Sequence, residues 1–376
     1  MLVSTRCPYW RTCKLPQRIP RPSPSPVAYR NYSAAAWPTP KRRVWIRLTA
    51  VTLTAAAIGA YIRSRQDILD ANLNPLTFAR YKLVSREQVS STNSIFTLEP
   101  AASADNHETY EIAWQAGVWS VMFKQPQLQI GRDYTPLPPV DDASEDAKES
   151  LRFLIRRDPH GEVSRYLHGL QQGASIEMRG PQIECEIDPE VNDILFIAGG
   201  TGIAPALQAA YIIFRRPVEG RTPKIHILWA NRKREDCAGG ISDTPNIIRP
   251  NATWWWPFHK DTTSPTDTLG SSAAQAKQNA IVRELQALKT RYPRQISVDY
   301  FVDEEHTFIS TKEIKAYIDS IQSSPGTKKM IIISGPEGFI NYMAGPKVWA
   351  HGYELQGPVK GLIQQIGVRD WEIWKL

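Results

Sequence analysis

The run Ile194-Leu195-Phe196-Ile197-Ala198-Gly199-Gly200-Thr201-Gly202-Ile203-Ala204-Pro205 constrains this chain more than any other stretch. It opens on large apolar residues without alternation, the pattern of a strand buried on both faces. Gly199, Gly200 and Gly202 break that strand. Ala206 to Phe214 then reads as a helix, with Pro205 in its first turn, where a missing N–H is tolerated. A strand, a glycine turn and a helix N-terminus let the backbone approach a phosphate-bearing cofactor and offer it unpaired N–H groups. The spacing is not the dinucleotide fingerprint G-x-G-x-x-G, and no acidic residue stands about 20 residues on. An ordinary strand-to-helix turn of an α/β domain reads the same way, so this stretch constrains the fold before it constrains the function.

A length of 376 residues allows two or three domains. The net charge of +7 is unevenly placed, because twelve Lys or Arg and no Asp or Glu precede Asp67. The basicity therefore belongs to a leader, and no nucleic-acid partner is expected. Residues 1–40, rich in Arg, Ser and Pro, read as a mitochondrial presequence, although a basic tail without an address has the same composition. Residues 44–62 lie between Lys41-Arg42-Arg43 and Arg63-Ser64-Arg65. As a helix they reach roughly 28 Å, about the hydrocarbon thickness of a bilayer. Arg47 sits in the first turn, from which it can snorkel, while threonines and alanines keep the segment only moderately hydrophobic. The reading is a single transmembrane helix anchoring the chain, against an amphipathic or signal-like segment. Basic residues flank both ends, so charge does not fix its orientation. Cys7, Cys13, Cys185 and Cys237 lack metal-ligand spacing, so neither a metal site nor a disulfide framework is expected.

From Phe78 the texture changes. Tyr81 to Val84, Ile95 to Leu98, Tyr110 to Ala113, Val118 to Phe123 and Leu151 to Ile155 are short apolar or alternating runs separated by turn-rich pieces. They predict an antiparallel barrel, with Asp141 to Ser150 as a solvated loop. Inside it, Arg132 and Tyr134 fall on one face of a strand. A guanidinium there can pair with a phosphate, and a phenol ring can stack on a flat cofactor. Gly161-Glu162-Val163-Ser164 opens a helix from Val163 to Leu170, whose first amides and Ser164 can hold an anion. Alone, each is equally a cap or a strand-end turn. In this order before the glycine turn, they point to one cofactor.

Arg-x-Tyr-Thr-x-x-Pro at 132–138, Gly-x-x-Ser at 161–164, Gly180-Pro181 and the glycine run together resemble the ferredoxin–NADP reductase-like flavoproteins. Within these, the NADH–cytochrome reductase branch is the most similar. The resemblance covers about residues 78–366. It implies a two-domain fold: a six-stranded antiparallel FAD-binding β-barrel at 75–181, then an α/β nucleotide-binding domain with a parallel sheet at 190–376. It also implies that Arg132, with Asp133 beside it, binds the FAD phosphates. Tyr134 would contact the ribityl chain and ring, and Thr135 would sit by flavin N5. Leu154, Ile155 and Arg156 match a segment of backbone and basic contacts. Gly161, Glu162, Val163 and Ser164 would bind the pyrophosphate. Gly199, Gly200, Thr201, Gly202 and Pro205 form the glycine loop, with Thr201 near flavin and nicotinamide.

In the second domain Lys224 to Ala230 is a strand followed by Asn231-Arg232, the family's Asn-Arg turn. Arg232, Lys233 and Arg234 can meet a 2′-phosphate or form a plain basic turn, so NADH and NADPH both stay open. Residues 237–278 read as an insertion whose Trp254-Trp255-Trp256 suits a membrane interface or a partner, or folds back onto the domain. Ile281 to Leu288 is an amphipathic helix, and Ile296 to Val302 and Met330 to Ile333 are strands. Ser334-Gly335-Pro336 matches the family's Cys-Gly-Pro segment near the nicotinamide, with Ser334 where cysteine is usual. Thr135 and Ser334 are thus the candidates beside the hydride path, and slower transfer is expected of a serine. No counterpart of the family's flavin-shielding terminal aromatic is evident. The tract from Ser334 through Gly345-Pro346-Lys347-Val348-Trp349 to Gln356-Gly357-Pro358, with the final Trp374-Lys375-Leu376, is similar to a narrower group of fungal mitochondrial flavoproteins. That resemblance implies an inner-membrane enzyme with its flavin domain in the intermembrane space, passing electrons from NAD(P)H through FAD to haem in cytochrome c maturation. The cytochrome c and haem lyase machinery would be its partners. Two other readings stay open: a flavin-binding assembly factor with little or no turnover, and a general NADH–haem or quinone reductase.

Overall fold

The computed structural model describes residues 42–69, 72–101, 106–140, 150–216, 222–244, 278–321 and 327–376. The presequence reading of 1–40, the loop 141–149 and most of the insertion, with its three tryptophans, fall outside these. Helix α1 (Arg42–Leu69) contains the segment expected to span a membrane. That expectation is corrected: among the described residues no helix is long and apolar enough to cross a membrane. Arg47 lies within it, and Thr49, Thr52 and Thr54, whose hydroxyls donate to helix carbonyls, hold its apolarity below that of a span.

The chain then builds β1 (Ala79–Gln88), β2 (Asn93–Pro100), α2 (His107–Ala116), β3 (Gly117–Gln125), β4 (Ile130–Tyr134), β5 (Pro136–Leu137), β6 (Leu151–Arg156), α3 (Glu162–Gly169) and β7 (Ser175–Glu186). The seven strands form one antiparallel sheet in the order β4-β3-β7-β1-β2-β6-β5. Its two edges, β4 and β5, are joined through Thr135 alone, so the sheet must curl until they meet. Tyr81, Phe96, Trp119, Phe123 and Phe153 fill the interior. The strand expected at Tyr110–Ala113 is instead part of α2. Tyr110, Ala113 and Trp114 recur at the i, i+3, i+4 spacing of a helix face and are buried there. Strand β7, the longest of the sheet, runs to Glu186.

The second half alternates strand and helix: β8 (Val191–Gly199), α4 (Ile203–Arg215), β9 (Lys224–Asn231), helix Ala280–Arg291, β10 (Ile296–Val302), helix Thr311–Ser320, β11 (Lys328–Ser334) and helix Glu337–Ala344. A short hairpin of β12 (Val348–Ala350) and β13 (Tyr353–Leu355) precedes β14 (Glu372–Lys375). The five-stranded parallel sheet runs β10-β9-β8-β11-β14. From β8 the chain winds outward to β10 and returns on the other side as β11. Beyond the C-terminal ends of β8 and β11 lies the crevice where such sheets receive ligands.

Buried polar ties lock the two sheets together. Gln208 of α4, with no exposed surface, accepts from the Trp119 N–H at 2.9 Å and donates to the carbonyls of Trp119 at 3.1 Å and Pro136 at 2.8 Å. Arg152 of β6 meets Glu284 at 2.8 Å. The β1–β2 turn donates from Ser90 Oγ and Asn93 Nδ2 to Asp236 Oδ1, at 2.6 and 2.7 Å.

Candidate functional site

Strand β4 places Arg132 opposite Phe123 and Tyr134 opposite Val121, so both side chains share the face on which the barrel core lies. Tyr134 packs edge-to-face on Phe123 with centroids 5.1 Å apart. Burial pushes its phenol up to about 12, against the Arg132 charge and with help from Asp158. The phenol is therefore neutral at physiological pH and available as a hydrogen-bond donor. Helix α3 packs against β3 and β4. No side chain caps this helix. Ser164 Oγ accepts from the Asp158 N–H at 3.1 Å and donates to the Gly161 carbonyl at 3.2 Å. Its hydroxyl thus closes the entry turn, and Val163 packs into the barrel core. What Glu162, Val163 and Ser164 offer an anion is their backbone amides, whereas the Gly161 N–H already donates to the Asp158 carbonyl at 3.2 Å. Asp133 points to the other face of β4. Burial and the carboxylates of Glu184 and Glu354 hold its carboxyl above the usual range, against Arg179 and Arg132.

The glycine turn is bound by packing as much as by ligand access. A Cβ on Gly202 would lie 2.3 Å from the Ser334 carbonyl oxygen, and one on Gly199 would lie 2.9 Å from the Phe339 ring. Gly200 differs: it has φ +56° and open space around its Cα. Its carbonyl accepts from Trp229 Nε1 at 2.9 Å, which fixes the turn from β9. Pro205 is buried in α4 and does not border the crevice. Gly335 packs against Gly199, with φ +155°.

A cleft of about 520 Å³ opens at the strand ends. The first sheet contributes Asn93 and Arg156 to its walls. The second contributes Gly199, Gly200, Asn231 and Arg232, with Asp303, Pro336 and Phe339. Leu154 and Ile155 precede Arg156 but face the two cores. The cleft thus gathers Arg156, Gly199, Gly200, Asn231, Arg232 and Pro336 from the expected set. Thr201, Gly202, Ser334 and Gly335 stand behind it or beside it, and Thr135 sits on the β4–β5 link. Of the basic triplet, Arg234 is paired with Glu305 and Lys233 with Glu235 at 3.3 Å. Only Arg232 of the three reaches the cleft. Sequence reasoning missed Asn93, Asp303, Phe339 and the tie through Gln208. No periodicity marks them, because their roles follow from tertiary placement. Cys185 and Cys237 are buried free thiols, and among the described residues no cluster could hold a metal ion.

A dinucleotide flavin fits these residues: an arginine and a neutral phenol share one strand face, uncapped helix amides stand beside them, and a cleft at a strand-order switch carries unsatisfied amides. Residues 80–187 match the oxidoreductase FAD-binding domain family. Across most of its length the chain is also similar to the cytochrome c mitochondrial import factor of Saccharomyces cerevisiae. The two are 24% identical over 88% of this chain and 91% of that protein. It is 26% identical to NADH-cytochrome b5 reductase 2 of Meyerozyma guilliermondii, over 65% of this chain and 67% of that one. Among solved structures, the cytochrome b5 reductase domain of Ulva prolifera nitrate reductase shares the fold. Its TM-score is 0.50 at 16% identity, covering 80% of this chain and 99% of that domain. The cofactors expected from the sequence, FAD with NADH or NADPH, agree with these comparisons.

Proposed function

We propose that this protein is a flavin-dependent oxidoreductase that takes electrons from a reduced nicotinamide nucleotide and passes them to a haem-linked acceptor of mitochondrial cytochrome c assembly. The observation that carries the reading is the cleft itself: two walls from two sheets meet at the switch between β8 and β11. FAD bound there supplies the exchange between a two-electron donor and one-electron acceptors. The protein's part is placement. Arg132 and the α3 amides neutralise the phosphates, Tyr134 positions the ribityl side, and Thr135 holds the N5 edge. Gly200 lets the nucleotide approach closely, and the Arg152–Glu284 and Gln208 ties keep the walls at fixed separation. Asp303 in the cleft would repel a 2′-phosphate, and two of the three basic residues are already neutralised, so NADH is the favoured donor. The similarity over 88% of the chain to a cytochrome c mitochondrial import factor supports the place in the cell and the partners.

Purified full-length protein should show a flavin spectrum that bleaches anaerobically with NADH and far less with NADPH. A spectrum that stays oxidised with both overturns the donor assignment. Ser334, 6% exposed in a position where the resembled family carries cysteine, favours a second reading: a flavin-binding assembly factor with attenuated turnover. Ser334→Cys separates the two, because faster NADH bleaching marks the native site as attenuated, and an unchanged rate removes that reading's support.

A further inference from the structure

Trp229 of β9 holds the glycine turn by its backbone. Its side chain, 1% exposed, donates from Nε1 to the Gly200 carbonyl at 2.9 Å. The register explains the reach. Trp229 sits between Ala198 of β8 and Tyr300 of β10, and the three side chains share one buried cluster. Ala198 is the one small residue in the run Ile194–Ala198, so the indole can lie across β8 toward the turn that follows it. Tyr300 backs the indole, with ring centroids 5.7 Å apart. Gly240 in turn backs Tyr300, since a Cβ there would come within 2.5 Å of the phenol ring. The indole donor is therefore fixed in place by packing on the side away from the turn.

This bond has a stereochemical consequence. In a trans peptide the carbonyl of one residue and the N–H of the next point in opposite directions. The Gly200 carbonyl faces the buried indole, and it also accepts from the Ile203 N–H at the start of α4. The Thr201 N–H therefore points away from the interior, on the side where Gly199 and Gly200 line the cleft. It belongs to the first turn of a helix, whose N–H groups have no carbonyl partner within the helix. Gly200 itself does little to hold the peptide plane. It has φ +56° and open space where a side chain would stand, and glycine accepts other orientations at little cost. A rotated plane would turn a carbonyl toward the cleft, and a carbonyl repels a phosphate where an N–H binds it.

We propose that Trp229 is a positioning residue for the nucleotide: its indole N–H keeps the Thr201 N–H directed at the nucleotide's pyrophosphate. This rests on the nucleotide reading above and deepens it, because the glycine turn then takes its anion affinity from a side chain on the neighbouring strand. FAD, held by Arg132 and the α3 amides of the barrel, does not depend on it.

The test uses holoprotein carrying Trp229→Phe, Thr201→Pro or both. Proline removes the N–H itself and suits the first turn of a helix. A second replacement at position 229, benzothienylalanine, exchanges the indole N–H for sulfur at nearly constant shape, so the donor can be removed even where phenylalanine leaves the chain unfolded. NAD+ and ADP are titrated calorimetrically, flavin reduction by NADH is followed anaerobically, and FAD affinity is measured on apoprotein. Each single change should raise the Kd for NAD+ and for ADP about tenfold. The double variant should bind no more weakly than Thr201→Pro alone, since the indole acts through that N–H. Flavin reduction at saturating NADH should stay within about twofold of wild type, and FAD should bind as in the wild type. Unchanged Kd values in both replacements of Trp229 would show that the turn keeps its plane unaided. Additive losses in the double variant would show that Trp229 acts through packing, and weakened FAD would place the turn on the flavin. Each of these three results overturns the proposal. A wild-type holoprotein that binds neither NAD+ nor ADP overturns the nucleotide reading itself, and shows this before any substitution is made.

Discussion

At the scale of single residues, the glycine turn divides its labour. Gly202 is a packing glycine: a methyl there meets the Ser334 carbonyl at 2.3 Å, a contact that backbone alone can relieve. Gly200 is a conformational glycine, with φ +56° and free space. Gly202→Ala should therefore cost about 1–3 kcal/mol through overpacking, whereas Gly200→Ala should cost about 1 kcal/mol of left-handed strain. Urea denaturation of the two variants checks the order, and equal losses would show that the β8–β11 junction can relax. Gln208 makes a sharper case. Gln208→Leu keeps the volume but leaves the Trp119 N–H and two carbonyls buried and unpaired. At about 1–3 kcal/mol for each unsatisfied group, it should be among the most damaging single changes away from the cofactor. A denaturation midpoint within error of wild type would mean that water replaces the amide.

At the scale of elements, the hairpin of β12 and β13 is a free-standing device. His351 and Gly352 both have positive φ, at 54° and 83°, as a two-residue hairpin turn requires, and Trp349 and Tyr353 stand largely exposed. Two strands alone are marginal in water, so something must hold their base. Lys375, 1% exposed, donates to the carbonyls of Pro346 at 3.1 Å and Pro358 at 3.3 Å, while Gln356 pairs with the Lys375 backbone. Burial, with the nearby Lys347 charge, lowers the Lys375 pKa. Lys375→Met should lower stability by about 1–3 kcal/mol, because it leaves the Pro346 and Pro358 carbonyls without this donor. It should speed amide exchange across 346–358 about tenfold or more, and unchanged exchange would remove Lys375 from the role of staple. This element also shows where sequence reading stops. The parallel strands were legible because they are continuous apolar runs, and β4, α3 and the glycine turn because their chemistry is local. Tyr110–Ala113 was misread as a strand because four residues cannot separate the two periods. The Lys375 staple and the Asn93–Asp236 tie join residues 17 to 143 positions apart, and no local pattern records such a pairing. The α1 segment was overread because its length suits a bilayer while its threonines and alanines leave it short of the apolarity a span needs.

At the scale of the whole molecule, the sheet that carries the nucleotide wall is also tied together at depth by a charge. Asp299 of β10 is 2% exposed. Burial alone would raise its carboxyl, but hydrogen bonds from His226 and from the Thr244 N–H outweigh it and hold the group below its ordinary value. His226 Nε2 lies 3.3 Å from Asp299 Oδ2, and its Nδ1 lies 2.6 Å from Ser297 Oγ on the same strand. The ring stacks on Tyr317 at 4.5 Å. β9, β10, the segment leading into the insertion and the helix Thr311–Ser320 therefore converge on one carboxylate. A carboxyl depressed on folding adds stability that is complete above its unfolded value, about 3.9, and that disappears as pH falls through the lower folded value. Stability should thus hold through neutral pH and fall away below about pH 4. Asp299→Asn should be less stable at pH 7 and show a shallower loss on acidification, because the group whose protonation differs between the folded and unfolded chain is gone. Urea midpoints taken between pH 3 and 7 on both proteins measure this directly. Parallel curves would show that other carboxylates govern acid unfolding and that the His226–Asp299 tie contributes packing alone.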